Sequence, residues 1–210
     1  MMDFWARIDA LRDRWDVLRH PFIRRWTEGG IDAGELTRYA AQYRHAVAGV
    51  AAACAAAARV APDVAVWDEL ETHACEERHH IALWDAFAVA VGADPAEAAT
   101  ERTRRCVAAW APPRDRSLVR TLISLYVIEA AEPAVAAAKR EALARWYGID
   151  DPRATAYFDE HERLDPGHAE HSRALITWAR RPHDDAPMLA EAEGVLRARW
   201  AFLDGMEQVA

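Results

Sequence analysis

Three side chains in the segment 157–171, which reads YFDEHERLDPGHAEH, could bind one metal ion together. His161, Asp165 and His168 follow one another at spacings of four and three residues. At about 100° per residue, an α-helix places them within roughly 60° of arc on one face. The pattern therefore predicts two imidazoles and a carboxylate directed at one point. A second interpretation stays open, because Asp165-Pro166-Gly167 is also typical of a turn whose Asp caps a new helix.

A second group of ligand-type residues occurs in the stretch ETHACEERHHIALW, which contains two overlapping Glu-x-x-His pairs. Glu77 and His80 form the pair whose helical face also carries Trp84, an apolar residue four positions after His80. This predicts that the His80 face is directed into the protein. Glu76 and His73 lie close to the same face and stay alternatives to Glu77. A solvated helix with ordinary Glu, Arg and His pairs is the competing interpretation.

A third candidate is Glu129, a single carboxylate in the apolar stretch LISLYVIEAA. A buried carboxylate is costly unless it is paired or bound to a metal, so Glu129 needs a partner. That partner is a metal, or an Arg or Tyr of a neighbouring helix; exposure at a kink before Pro133 is a further alternative.

Together the three helices offer six ligands, enough for three on each of two metal ions. Inward-pointing Glu and Glu-x-x-His groups are typical of di-iron and di-manganese sites in helix bundles. Oxygen and imidazole ligands favour Fe or Mn, although affinity alone excludes neither Zn nor Cu. The six predicted ligands are Glu77, His80, Glu129, His161, Asp165 and His168.

The elements that must position these side chains are predicted to be helices throughout. No segment alternates with period two, so the sequence predicts an all-α bundle of about seven or eight helices and no sheet. The 210 residues are expected to form one domain. Gly and Pro breaks place the helices at about 3–18, 21–28, 33–60, 64–91, 95–110, 115–147 (a pair, or one helix kinked at Pro133), 152–180 and 188–206.

Composition excludes several classes of protein. A net charge of -8 argues against a nucleic-acid-binding surface. The apolar run 46–58 is too short to span a bilayer, which takes about 20 residues, and the N-terminus lacks the pattern of a signal peptide. Three cysteines without metal-type spacing are expected to be buried in a reducing compartment. We therefore expect a cytoplasmic protein that binds neither nucleic acid nor membrane, with its nine tryptophans mostly in the core.

The order of four stretches resembles the chlamydial death-domain-associating protein (CADD) family, within the haem-oxygenase-like dimetal oxidases that also include the TenA and PqqC branches. These stretches are HPFIRRWTEGGIDAGELTRYAAQYRHAV, HHIALWDAFAVAVGAD, SLYVIEAAEPAVAAAKREALARWYGIDD and YFDEHERLDPGHAEHS, and the likeness covers about 8–175. The resemblance implies a haem-oxygenase-like seven-helix bundle that binds two non-haem irons, with Mn as the alternative metal, and uses O2 as co-substrate. It assigns ligand roles to His80, Glu129, His161, Asp165 and His168. The family's remaining glutamate falls on His73, so Glu77 is taken in its place.

The same resemblance implies an activity. CADD-type proteins are associated with making p-aminobenzoate from one of their own tyrosines, with a lysine supplying nitrogen; Lys139 and Tyr157 match such residues. Ile23 and Ile128, however, stand where that pattern has tyrosines. The leading expectation is therefore a di-iron oxidase for a separate small substrate, an amino acid, amine or fatty acid, in a biosynthetic pathway.

Several alternatives stay open beside that expectation. They are a CADD-type p-aminobenzoate synthase, a metal-free enzyme of the TenA or PqqC type, and a scaffold without activity. Lys139 and Tyr157 could serve in proton transfer or substrate contact, or be a surface lysine and a packing aromatic. A homodimer formed through the Ala-rich or the C-terminal helix is also open.

Overall fold

A computed structural model describes residues 3–111 and 117–207. Within these residues the chain forms nine α-helices and no strand, so the all-α prediction is confirmed. The short α2 and the division of α6 from α7 bring the number of separate helices to nine. The helices are α1 (Phe4–Arg14), α2 (Pro21–Thr27), α3 (Ala33–Arg59), α4 (Val64–Ala90), α5 (Glu101–Trp110), α6 (Leu118–Glu129), α7 (Glu132–Tyr147), α8 (Pro152–Ala179) and α9 (Asp185–Glu207).

Local hydrogen bonds explain where the helices begin. Helix α3 starts with a capping box, in which Asp32 and Glu35 satisfy each other's backbone N–H groups. Helix α5 begins at Glu101 because Thr100 caps it, so the predicted start at Pro95 was wrong. The backbone N–H of Thr100 donates to the side chain of Gln42 in α3, and this bond fixes the non-helical approach to α5.

The predicted segment 115–147 is a pair of helices. Its expected start at Asp115 lies outside the described residues, and α6 ends at Glu129. Pro133 lies in the first turn of α7, where a backbone N–H has no intrahelical partner in any case. Helix α1 ends at Arg14, earlier than expected, and a 3₁₀ turn at Val17–Arg19 follows it.

Helix α8 is continuous through Pro166, so the interpretation of Asp165-Pro166-Gly167 as a turn was wrong. Proline removes one hydrogen bond from the helix interior at a cost of about 3 kcal/mol. Helix α8 packs against α4, α6 and α7. These contacts offset the local defect, and His161, Asp165 and His168 stay on one helix.

Helices α3, α4, α6 and α8 pack against one another at the centre of the bundle, with α9 against α6 and α5. Trp26, Trp84 and Trp110 are fully buried there. The expectation that the tryptophans lie mostly in the core was only partly right, because Trp67, Trp146 and Trp178 are 47%, 48% and 63% exposed. Two cysteines are buried and one, Cys75, is exposed.

One segment of the described chain, Leu118–Tyr147, is long and apolar enough to cross a membrane. Two-thirds of its apolar window, 67%, is buried inside the bundle. Burial to this extent is what the core helix of a soluble protein shows.

Candidate metal centre

Helices α4 and α8 present the same ligand pattern to each other in opposite directions. His73, Glu77 and His80 repeat the four-and-three spacing of His161, Asp165 and His168. The rings of His80 and His161 lie 4.3 Å apart, and those of His73 and His168 lie 3.9 Å apart. We call these six side chains the ladder. His80 and His161 lie at one end, His73 and His168 lie at the other, and Glu77 and Asp165, one carboxylate from each helix, lie in the middle.

At one end of the ladder, Glu77, His80 and His161 each offer a ligand atom within 4.8 Å of the other two. His80 Nδ1 lies 3.1 Å from Glu77 Oε1. His161 Nδ1 lies 2.8 Å from the carbonyl oxygen of Tyr157, which can only accept a hydrogen bond. The proton of His161 therefore sits on Nδ1, and Nε2 keeps its lone pair for a metal.

The other end of the ladder is closed by His168 and an outer carboxylate. His168 Nε2 lies 2.8 Å from Glu76 Oε2, while its buried Nδ1 has no hydrogen-bond partner in the part of the chain that the structure describes. A carboxylate on the outer ring nitrogen is the usual way to orient a metal-binding histidine. Glu76, considered as a substitute ligand for Glu77, is thus placed to orient His168 from outside the cavity.

Glu129 reaches the ladder from α6. It is 2% exposed, and neither of its carboxylate oxygens makes a hydrogen bond within residues 3–111 and 117–207. Its nearest charged neighbour is His73, whose Nε2 lies 3.2 Å from Oε1. Within the described chain, the buried Oδ1 of Asp165 also lacks a hydrogen bond. Buried oxygens without a partner, such as Glu129 Oε2 and Asp165 Oδ1, are costly without a cation, so the residues fit a metal site.

Glu77, His161 and Asp165 of the ladder, together with Glu129, face a small enclosed cavity. It leaves about 10 Å³ for the centre of a water molecule, which is room for about one water. An amino acid or fatty acid does not fit there without movement of the walls. The lining residues are Tyr43, Val47, Val50, Glu77, Trp110, Ile128, Glu129, Glu132, Tyr157, His161 and Asp165.

The sequence profile of the TENA/THI-4/PQQC family matches residues 8–162. This chain belongs to that family. It is 31% identical to the 4-aminobenzoate synthase of Nitrosomonas europaea, over 98% of this chain and 91% of that protein. It is 29% identical to the 4-aminobenzoate synthase of Chlamydia muridarum, over 97% of this chain and 89% of that protein.

The fold of this TENA/THI-4/PQQC family member has solved counterparts. A domain with a haem oxygenase-like fold from Shewanella denitrificans superimposes with a TM-score of 0.81, over 99% of this chain and 93% of that chain, at 18% identity. The haem-oxygenase-like fold and the predicted family resemblance are therefore confirmed. The six ligand assignments stay predictions.

In this family member, carboxylates outnumber cations around the cavity and shift one another's pKa. Burial, together with the charges of Glu129, Glu132 and Glu77, raises the pKa of Asp165 to about 10. Burial also lowers the pKa of His161, and the charge of His80 lowers it further. Neutral imidazoles are the form that binds metals. A divalent cation would relieve the repulsion among the carboxylates and ionise Asp165.

Lys139 is buried in α7, so its interpretation as a surface lysine was wrong. Its Nζ donates a hydrogen bond of 2.8 Å to the hydroxyl of Tyr39 and lies 5.1 Å from the ring centre of Tyr43. Burial lowers the pKa of Lys139 to about 7; Glu132 opposes this shift and Arg199 adds to it.

Tyr157, the second predicted catalytic residue, is buried and stacks on the ring of His161 at 4.0 Å. It lines the cavity, as does Tyr43. Tyr157 therefore touches a predicted ligand directly, whereas Lys139 lies behind Tyr39 and Tyr43.

Sequence reasoning missed several residues of the site. Glu132 lines the cavity and accepts a 2.5 Å hydrogen bond from buried Arg199 of α9. Tyr43 lines it from α3, and Cys54 of the same helix lies beside His73. Only Glu132 left a signal, since it follows Glu129 by three residues in a stretch that the sequence allowed to be one kinked helix. In the structure the two residues lie on different helices, α6 and α7. Nothing in the sequence ties Arg199 to Glu132.

Proposed function

We propose that this chain is a non-haem di-iron oxidase that makes 4-aminobenzoate from one of its own tyrosines. One observation carries the proposal: Glu77, Glu129, Asp165 and His161, from three helices, face one buried cavity, and Glu129 Oε2 and Asp165 Oδ1 have no hydrogen-bond partner among the described residues. The names of the two relatives support the product.

Two sets of side chains would hold the metals. Glu77, His80 and His161 form one compact group. Glu129, Asp165 and His168 are the predicted remainder, of which Glu129 and Asp165 line the cavity. A pair of irons at these positions would supply the electrons and open positions needed to activate O2, and the surrounding bundle would exclude water.

The size of the cavity favours a substrate that is already part of the protein. A cavity with room for about one water does not admit a separate amino acid unless its walls move, whereas Tyr43 and Tyr157 already form part of the wall. Of these two, Tyr43 also has Lys139 Nζ next to its ring, at 5.1 Å from the centre. We therefore assign Tyr43 as the tyrosine consumed, with Tyr157 holding His161 in place by stacking.

Lys139 is suited to supply nitrogen. Its side chain is enclosed by Trp26, Tyr39 and Tyr43, and the Tyr39 hydroxyl accepts its hydrogen bond and fixes its direction. A pKa lowered to about 7 leaves a large share of the amine neutral at neutral pH. Only the neutral amine has a lone pair with which to form a bond to carbon.

A second candidate is oxidation of a separate small substrate, the leading expectation from the sequence. One observation favours it: Ile128, which stands where the CADD-type pattern has a tyrosine, lines the cavity. Ile23, at the other such position, is buried. This candidate requires the cavity to open by more than the volume of one water.

The test uses full-length protein with ¹³C-labelled tyrosine rings. Metal-free protein is loaded with two equivalents of Fe²⁺ without oxygen, mixed with O2 and a reductant, and assayed by mass spectrometry for labelled 4-aminobenzoate. We expect labelled product and a protein fragment altered at Tyr43. The variants Tyr43→Phe and His161→Ala should form none, whereas Tyr157→Phe should still form some and Tyr147→Phe, remote from the cavity, should match wild type.

Two results would count against the proposal. Iron-loaded protein that consumes O2 but leaves every tyrosine intact would favour the separate substrate. Failure to bind iron in wild type would exclude both oxidases.

A further inference from the structure

A third group of ligand-type side chains lies at the His73 end of the ladder and includes a cysteine. Cys54 of α3, His73 of α4 and Glu129 of α6 each offer a ligand atom within 4.8 Å of the other two. They are 0%, 6% and 2% exposed. Three helices thus bring a thiol, an imidazole and a carboxylate to one point in the core.

The separations of these atoms match those of a tetrahedral metal site. Bonds of about 2.3 Å to sulfur and about 2.1 Å to nitrogen or oxygen place tetrahedral ligands about 3.6 Å (S to N) and about 3.4 Å (N to O) apart. Cys54 Sγ lies 3.7 Å from His73 Nε2, and His73 Nε2 lies 3.2 Å from Glu129 Oε1. Little movement would be needed to accept an ion.

Hydrogen bonding alone does not account for the group. His73 Nε2 carries at most one proton, and Cys54 Sγ and Glu129 Oε1 both compete for it. Glu129 Oε1 is ion-paired with His73 at 3.2 Å, but the enclosed Oε2 has no hydrogen-bond partner among the described residues. A cation placed among the three atoms would satisfy the carboxylate and the imidazole lone pair together.

We propose that Cys54, His73 and Glu129 bind one divalent transition-metal ion, through a thiolate, an imidazole and a carboxylate. The thiol proton is released to solvent as the metal–sulfur bond forms, so the site gains one metal and loses one proton. The inference shares one residue with the proposed function, because Glu129 is a predicted iron ligand there and a ligand of this ion here. A metal at Glu77, His80 and His161 is not required for it.

A thiolate changes which metals the position prefers. Sulfur is a soft donor that favours Zn²⁺ and Co²⁺ over Mn²⁺, whereas carboxylate-rich sites accept Mn²⁺ readily. We therefore expect the two metal positions to differ, with the Cys54 end the more selective against Mn²⁺.

Cobalt reports on this site directly, because thiolate ligation of Co²⁺ gives an intense near-ultraviolet charge-transfer band. Metal-free full-length protein is titrated anaerobically with Co²⁺ at neutral pH. We expect this band in wild type and its loss in Cys54→Ser. Cys106→Ser should keep it, because Cys106 is equally buried but belongs to no ligand group. His161→Ala should also keep it, which separates this site from the other metal position.

A second measurement needs no variant and so does not depend on Cys54→Ser folding. X-ray absorption of the wild-type protein loaded with Zn²⁺ should require a sulfur neighbour at about 2.3 Å. Cobalt binding with only weak d–d bands, or zinc with nitrogen and oxygen neighbours alone, would overturn the thiolate assignment. Such a result would leave the di-iron proposal standing, since that is tested by labelled 4-aminobenzoate. No binding of either ion in wild type would overturn the site itself.

Discussion

Glu132, which lines the cavity, forms a buried ion pair with Arg199. Both side chains are 4% exposed, and the guanidinium also lies 3.4 Å from the hydroxyl of Tyr43. Burial disfavours the charged form of Glu132, yet Arg199 keeps its pKa below the usual value. A buried carboxylate that loses its partner is strongly destabilising.

Arg199→Met should therefore lower the free energy of unfolding by about 3–5 kcal/mol. The double variant Arg199→Met with Glu132→Gln should recover part of this loss, because no unpaired charge remains. Urea unfolding followed by circular dichroism measures both. Arg197→Met, an exposed position on the same helix, is the control and should change stability by less than about 1 kcal/mol. If both substitutions lowered the free energy of unfolding equally, the cost of burying Glu132 would not depend on its ion pair with Arg199.

Lys139 should make product formation pH-dependent. Because burial lowers its pKa to about 7, the amine is mostly protonated below that pH and mostly neutral above it. The single-turnover yield of 4-aminobenzoate should rise from about pH 6 to about pH 8 and then level off, far below the usual lysine pKa of about 10.4.

The yield is measured in iron-loaded protein, with iron content determined at each pH so that metal loss is not mistaken for titration of the amine. Lys139→Met should give no labelled product at any pH. A yield that is flat or falls across this range would exclude the neutral amine as the nitrogen source.

At the scale of the elements, residue spacing predicted what lies within one helix. The spacing of His161, Asp165 and His168 placed them on one face, and the spacing of Glu77 and His80 did the same for α4. Helix α8 shows the limit of prediction from local sequence. Asp165-Pro166-Gly167 is compatible with the start of a new helix and also with one helix that continues through the proline. Packing of α8 against three neighbouring helices favours the continuous helix, and that packing cannot be predicted from the local sequence.

Pro166→Ala tests this account of α8. Alanine restores the backbone N–H that bonds to the carbonyl of Glu162, so the variant should gain up to about 3 kcal/mol in unfolding free energy. Pro152→Ala is the matched control, because Pro152 lies in the first turn of the same helix and its N–H would have no intrahelical partner. Thermal unfolding measures both variants. A loss of stability at 166 would mean that the proline fits a local distortion that α8 needs.

Contacts between side chains of different helices were beyond prediction. Arg199 meets Glu132 across 67 positions, and Cys54 meets His73 from an Ala-rich helix that reads only as close packing. Each of these residues alone is typical of a core or surface position. Only the folded arrangement of the helices brings α9 to α7 in the first pair and α3 to α4 in the second.

At the scale of the whole molecule, the bundle holds four acidic side chains around one cavity, namely Glu77, Glu129, Glu132 and Asp165. Arg199 offsets one of them directly. Among the rest, His73 Nε2 lies 3.2 Å from Glu129 Oε1 and 3.8 Å from Glu77 Oε1, and a pKa raised to about 10 favours the neutral form of Asp165. A cation that binds the folded state alone would stabilise the whole domain.

We therefore expect Fe²⁺, added without oxygen, to raise the unfolding free energy by about 2.7 kcal/mol when the free ion is at about 100 times its Kd. Asp165→Asn should lose much of this gain, because an amide is a weaker ligand than a carboxylate. Without metal the same variant should be at least as stable as wild type at pH 7, since the asparagine replaces a side chain already held neutral. Asp159→Asn, on the exposed side of α8, should keep the full gain. Thermal unfolding with and without Fe²⁺ separates these outcomes, and an undiminished gain in Asp165→Asn would remove Asp165 from the ligand set.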